Sequence, residues 1–170
     1  TCKGKLPNIY LFHGEVSDSQ MNDLYNHPKV KAMVSLTKGE GYGRPLLEFT
    51  ATGKPIIASG WSGQSDFLDK EMSFLLPGKL ENVHKSAAND WLLESGQWFQ
   101  PDPNVFGNVM KDMVKHYKKY LANGKKQKYY CKNNFSYEKM RDLLKSYFDK
   151  YVSAVPTQMN LTIPTLEKIE

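Results

Sequence analysis

Short runs of β-branched and aromatic residues alternate along this chain with stretches of helical spacing, and glycine or proline marks most of the joints. That alternation constrains the fold most. Strand–helix–strand units built on short turns lay successive strands parallel in one sheet, with helices on its faces. The run from Asn8 to Gly14, preceded by Pro7, reads as a buried strand. Ser17 then stands as the N-cap of a helix marked by Met21, Leu24 and Tyr25. A second strand spans Val30 to Leu36, and a glycine-rich turn delivers the chain to a helix that Pro45 opens and Gly53 closes. Lys54 to Gly60 supplies a third strand and Ser73 to Leu76 a fourth, while residues 79–102 show no regular period. From Pro103 one helix is expected as far as the breaker Asn123-Gly124, and another from its cap Ser136. The domain spans residues 1–152, and an extended tail with two prolines occupies 153–170.

The length of 170 residues suits one core, and 40% hydrophobic with 24% charged residues excludes wholesale disorder and a fibrous chain. No stretch approaches the ~18 consecutive apolar residues of a membrane helix. The net charge of +5 names no partner. The basic run Lys111 to Lys132, interleaved with tyrosines, accompanies no nucleic-acid motif and reads as the solvated side of a helix. Nucleic acid is therefore not an expected partner, and peripheral contact with an anionic membrane surface stays open. Cys2 and Cys131 lack a CxxC pairing, which points to a reducing, cytoplasmic setting. His13, His27, His84 and His116 are scattered, so no metal site is expected; Trp91 and Trp98 are expected as core or interface packing.

The chemistry concentrates in the turn after the second strand, Gly39-Glu40-Gly41-Tyr42-Gly43-Arg44-Pro45-Leu46-Leu47-Glu48. Three glycines in five residues let backbone approach a ligand closely, and a helix start offers unpaired amides at the positive end of its dipole. Phosphate or diphosphate is the natural guest. Glu40 and Glu48 flank this cradle, and carboxylates accept hydrogen bonds from sugar hydroxyls. A ribose, a diphosphate and a hexose in sequence would fit that layout. Glycines alone would equally serve to turn the chain.

The segment TKGEGYGRPLLEFTATGKPIIAS resembles the signature of GT-B retaining glycosyltransferases of the large family four, an EG(F/Y)GxPxxE frame with seven residues between its two glutamates. The matching residues are Glu40, Gly41, Tyr42, Gly43, Pro45, Glu48, Gly53, Pro55 and Ala58. The flanking NIYLFHGEVSDSQMNDLY, SGWSGQSDFL and FSYEKMRDLLKSYFDKY are similar to family segments in order and spacing, with Tyr137 where tryptophan is usual. The resemblance implies a Rossmann-like parallel sheet, the C-terminal nucleotide-sugar-binding half of a GT-B enzyme, without the first strands of that domain. It implies sugar transfer from a nucleotide-diphosphate sugar with retention and without an essential metal or a cofactor. Glu40 would contact the transferred sugar as the catalytic residue and Glu48 the ribose. Gly41, Tyr42, Gly43, Arg44, Pro45 and Leu46 would line the diphosphate, with the amides of Gly43 through Leu46 holding it. The turn bearing Gly14 and Val16 would meet the base.

In the family's strand order 3-2-1-4-5-6, residues 8–14 form the third strand, whose usual neighbour would precede residue 1. The expected partners are accordingly a nucleotide-sugar donor and either the acceptor domain of a longer enzyme or another copy of this chain. A non-catalytic nucleotide-sugar-binding module and a nucleotide-sugar epimerase of similar fold are the alternatives.

Overall fold

The computed structural model describes residues 7–152, so Cys2 and the tail from 153 lie outside the described residues. The order of elements is α1 (Asp18–Asn26), β1 (Met33–Ser35), α2 (Arg44–Thr50), β2 (Ile56–Ser59), β3 (Phe74–Leu76), β4 (Gly78–Asn82), β5 (Gln97–Pro101), α3 (Pro103–Lys115), α4 (Tyr117–Asn134) and α5 (Tyr137–Tyr151). A short 3-10 turn, Gly63–Asp66, follows β2. The chain divides into two compact units at Lys132–Asn133; the sheet and its helices belong to the first and α5 to the second.

The fold is mixed α/β, with a three-stranded parallel sheet in the order β1-β2-β3 and helices packed on it, compatible with a Rossmann-like arrangement. The register sets Val34 opposite Ile57 and Ala58 opposite Leu75. All four residues of β2 are buried, as a central strand covered on both faces requires. On one face Ile57 and Leu76 pack with Val109 and Met113 of α3. Leu46 and Phe49 of α2 are buried as well, and Tyr25 of α1 meets the Phe49 ring edge-on at 5.3 Å. Lys54 secures the end of α1, its ammonium donating to the Tyr25 and His27 carbonyls at 2.6 and 2.9 Å.

Ser17 caps α1 as its residue type suggests, and Gln20 closes a full capping box with it. The strand expected at 8–14 does not form. Ile9, Tyr10, Leu11 and Phe12 are 71–90% exposed, because a strand exists only through a ladder and β1 pairs with β2 alone. The second strand contracts to Met33–Ser35, the stretch that β2 can reach.

The breaker expected at Asn123-Gly124 is likewise overturned. The helix that starts at Pro103 breaks earlier, at His116, and α4 runs unbroken through Gly124 to Asn134. Gly124 is buried, and a Cβ there would lie 2.7 Å from the Gly53 carbonyl oxygen. Close approach, not a turn, is what this glycine provides. Gln127, one turn on, is buried too: its amide nitrogen donates to the Phe67 carbonyl at 2.7 Å, and its oxygen accepts from Asp69 N–H and the Ser73 hydroxyl at 3.0 Å each.

Residues 79–102, read as irregular, contain the antiparallel hairpin β4–β5, which pairs Gly78 with Pro101 and Leu80 with Phe99. Trp91 is 96% exposed and packs in no core. In the second unit α5 starts at Ser136, whose hydroxyl accepts from Lys139 N–H at 3.3 Å. Among the described residues no helix is long and apolar enough to cross a membrane.

Candidate functional site

The carboxyl ends of β1 and β2 open into two loops that grip one another. Ser62, in the loop after β2, accepts from the Glu40 amide at 3.1 Å and donates its hydroxyl to the Glu40 carbonyl. Gly63 N–H adds a bond to the same carbonyl at 3.2 Å. The loops touch so closely that a Cβ on Gly63 would sit 2.4 Å from the Gly41 carbonyl oxygen. Ser62 adopts φ +76° and ψ −163°, a region essentially reserved for glycine, and is the positive-φ non-glycine residue among those described. Strain of this kind persists only where surrounding contacts enforce it.

Gly43 is the N-cap of α2 in the left-handed conformation, φ +83° and ψ 41°. Pro45 stands at the second helical position, one later than a first-position proline, and brings no N–H. The Leu46 amide already donates to the Gly43 carbonyl at 2.9 Å, and its side chain is buried. Among the described residues the amides of Gly41, Tyr42, Gly43 and Arg44 take no intramolecular acceptor. Of the Gly43–Leu46 stretch named from the sequence, Gly43 and Arg44 keep open amides while Pro45 and Leu46 offer none, and Gly41 and Tyr42 add two more.

Of the two carboxylates, Glu40 is half-buried in the loop and Glu48 sits exposed on α2. The Arg44 guanidinium lies 3.1 Å from Glu48, a largely exposed i,i+4 pair worth about 0.3–0.5 kcal/mol. Glu48 also faces α1: burial first and the Glu48 charge second raise the Tyr25 phenol above its ordinary value. Tyr42 packs its ring on buried Phe67 at 5.2 Å and remains 40% exposed. Gly14, at φ +131°, is exposed, and Val16 is half-buried just before the Ser17 cap. No hydrogen bond among the described residues ties either of them to the glycine-rich loop.

Beneath the loop, Gln64 is fully buried and donates to the Ser59 carbonyl at 3.0 Å, while its Oε1 has no hydrogen-bond partner. A buried acceptor of this kind is normally met by an internal water. The hairpin, which the sequence did not reveal, builds the neighbouring wall. Phe99 N–H donates to the Lys38 carbonyl at 2.9 Å, the Lys38 ammonium lies 3.6 Å over the Trp98 ring, and Trp61 stacks on Phe99 at 5.9 Å. The tryptophans and the lysine were visible as residue types, but only long-range pairing assembles them.

Clefts of about 180 Å³ beside Pro55, Ser73 and Tyr120, and about 560 Å³ beside Gly78, Glu81 and Asp102, lie away from this loop. Among the described residues no group of three or more His, Cys, Asp or Glu side chains is placed to hold a metal ion. Comparison of the chain with models of known protein families and with curated proteins gave no match.

Proposed function

We propose that this chain is the nucleotide-sugar-binding part of a GT-B retaining glycosyltransferase, transferring a hexose from a nucleotide-diphosphate sugar. The observation that carries the reading is the Glu40–Arg44 loop at the carboxyl end of a parallel strand. Its amides at Gly41, Tyr42, Gly43 and Arg44 are unspent, and Ser62 holds its backbone in place. Ligands of open parallel sheets bind at that edge. The sequential order β1-β2-β3 also agrees with places four, five and six of the family's sheet.

In this reading the amides receive the diphosphate, and the Arg44 guanidinium at the start of α2 offsets its charge. Glu48 accepts from the ribose hydroxyls, exchanging its weak surface pair with Arg44 for them. Glu40 faces the transferred sugar. As the bond from the anomeric carbon to the diphosphate breaks, negative charge grows on the leaving oxygens, where preorganised amides stabilise it without reorganisation. The donor is bound by the chain itself, and the acceptor and its binding half come from elsewhere in a longer enzyme or another copy.

Calorimetric titration with uridine and guanosine diphosphates tests this. Wild-type protein is expected to bind one of them, and Glu48→Ala to weaken that binding by about 1–3 kcal/mol, the loss of hydrogen bonds to a charged group. Unchanged affinity in Glu48→Ala removes the ribose assignment. Glu40→Ala is expected to leave diphosphate affinity intact and abolish sugar transfer by the full-length enzyme; normal turnover removes Glu40 from the mechanism.

A further inference from the structure

Trp61 is 44% exposed, yet its ring is not loose. It lies within 7° of parallel to Phe99 at a centroid distance of 5.9 Å, and Phe99 is only 5% exposed. One indole face is therefore backed by the core and the ring still presents substantial surface to solvent. Phe99 is itself anchored to the loop after β1 through its N–H bond to the Lys38 carbonyl, and Trp98 beside it lies under the Lys38 ammonium. On the other side Trp61 is joined to Ser62, the strained residue that fixes the Glu40 backbone. A rigid aromatic face thus belongs to the same pair of loops as a carboxylate.

We infer that Trp61 is a sugar-stacking platform, taking the apolar C–H face of a pyranose ring whose hydroxyls reach the Glu40 carboxylate. The chemistry fits the two groups: a pyranose is apolar on its faces and polar at its rim, so it needs a flat hydrophobic surface beside a hydrogen-bond acceptor. The cost of ordering such a platform is small, because the stack on Phe99 already holds the ring. The inference rests on the reading of Glu40 as the sugar contact. The pyranose belongs either to the donor or to a saccharide acceptor, and binding measurements separate them.

Calorimetry on the full chain would compare wild type, Trp61→Leu and Trp61→Phe. Leucine keeps Phe99 covered without offering a ring, phenylalanine keeps an aromatic face, and circular dichroism checks that both variants fold. The probes are uridine and guanosine diphosphates, UDP-glucose and GDP-mannose, and the methyl α-glycosides of glucose and mannose. A donor platform predicts that Trp61→Leu binds the diphosphate as wild type does but loses about five- to tenfold in affinity for the matching nucleotide sugar, largely restored in Trp61→Phe. An acceptor platform predicts unchanged donor binding and the same loss for a methyl glycoside. If Trp61→Leu binds nucleotide sugars and glycosides as wild type does, the platform is overturned. A loss equal for diphosphate and nucleotide sugar assigns Trp61 to the base and overturns it too. Failure of wild type to bind any diphosphate or nucleotide sugar defeats the proposed function instead; the platform is then judged on the glycosides, and absence of Trp61-dependent binding overturns it as well.

Discussion

Ser62 occupies a backbone conformation, φ +76° and ψ −163°, that costs an L-residue about 1–3 kcal/mol. Its hydroxyl bonds to both the amide and the carbonyl of Glu40, which is the gain set against that cost. Two substitutions separate the contributions. Ser62→Ala and Ser62→Gly both lose the clamp, but only glycine relieves the backbone. Ser62→Gly is expected to be more stable than Ser62→Ala by about 1–2 kcal/mol in urea unfolding, and equal stability would show that the residue is unstrained.

Tyr120 gives a second residue-scale outcome. Burial, then its hydrogen bond to Asp112 at 2.7 Å and the charge of Asp112, push its phenol from 10.0 up to about 12. The folded state therefore keeps a proton that the unfolded chain releases, so this contribution is whole below pH 10 and lost as pH rises towards about 12. Melting temperature should fall more steeply between those values in wild type than in Tyr120→Phe; parallel profiles would refute it. Asp112, held below its ordinary value by Tyr120 and then His116, works in the opposite direction, its contribution disappearing as pH falls through the depressed value.

At the scale of elements, α4 shows how packing overrides propensity. Alanine exceeds glycine by about 1 kcal/mol in a helix interior, so Gly124→Ala would be stabilising in an isolated helix. Here the added methyl would meet the Gly53 carbonyl oxygen at 2.7 Å and Lys54 backbone at 2.8 Å, neither of which is a flexible side-chain end. A net loss of about 1–2 kcal/mol is expected in chemical denaturation. Gain of stability would show that α4 can move away. Gln127→Leu strips partners from the Asp69 amide and the Ser73 hydroxyl and should cost about 2–4 kcal/mol by the same measurement, against near-neutrality if water replaces them. The break between α3 and α4 at His116 is bridged by Asp112, which bonds His116 at 2.8 Å with one oxygen and Tyr120 with the other. Tyr117, within the basic run, donates to the Lys31 carbonyl at 2.9 Å and ties α4 to the entry of β1.

For the molecule as a whole, the segment before α1 is an exposed margin among the described residues. Tyr10, Leu11 and Phe12 lie open on backbone without a ladder, so brief chymotrypsin treatment should cut there before it cuts the sheet β1–β3. First cleavage within β1–β3 would contradict that.

Local chemistry determined the Ser17 and Ser136 caps, the helix entered at Gly43–Pro45, and the apolar strands β2 and β3, because each depends on residues within one turn or one run. The glycine-rich loop was legible for the same reason. Tertiary structure alone decided that residues 8–14 form no strand, that Gly124 lies inside a helix, and that Leu80 faces Phe99 across a hairpin. It also decided which amides of the loop stay open and that Ser62 fixes Glu40. Those outcomes depend on partners distant in sequence, and no periodicity within a segment encodes where a ladder, a close approach or an acceptor will come from.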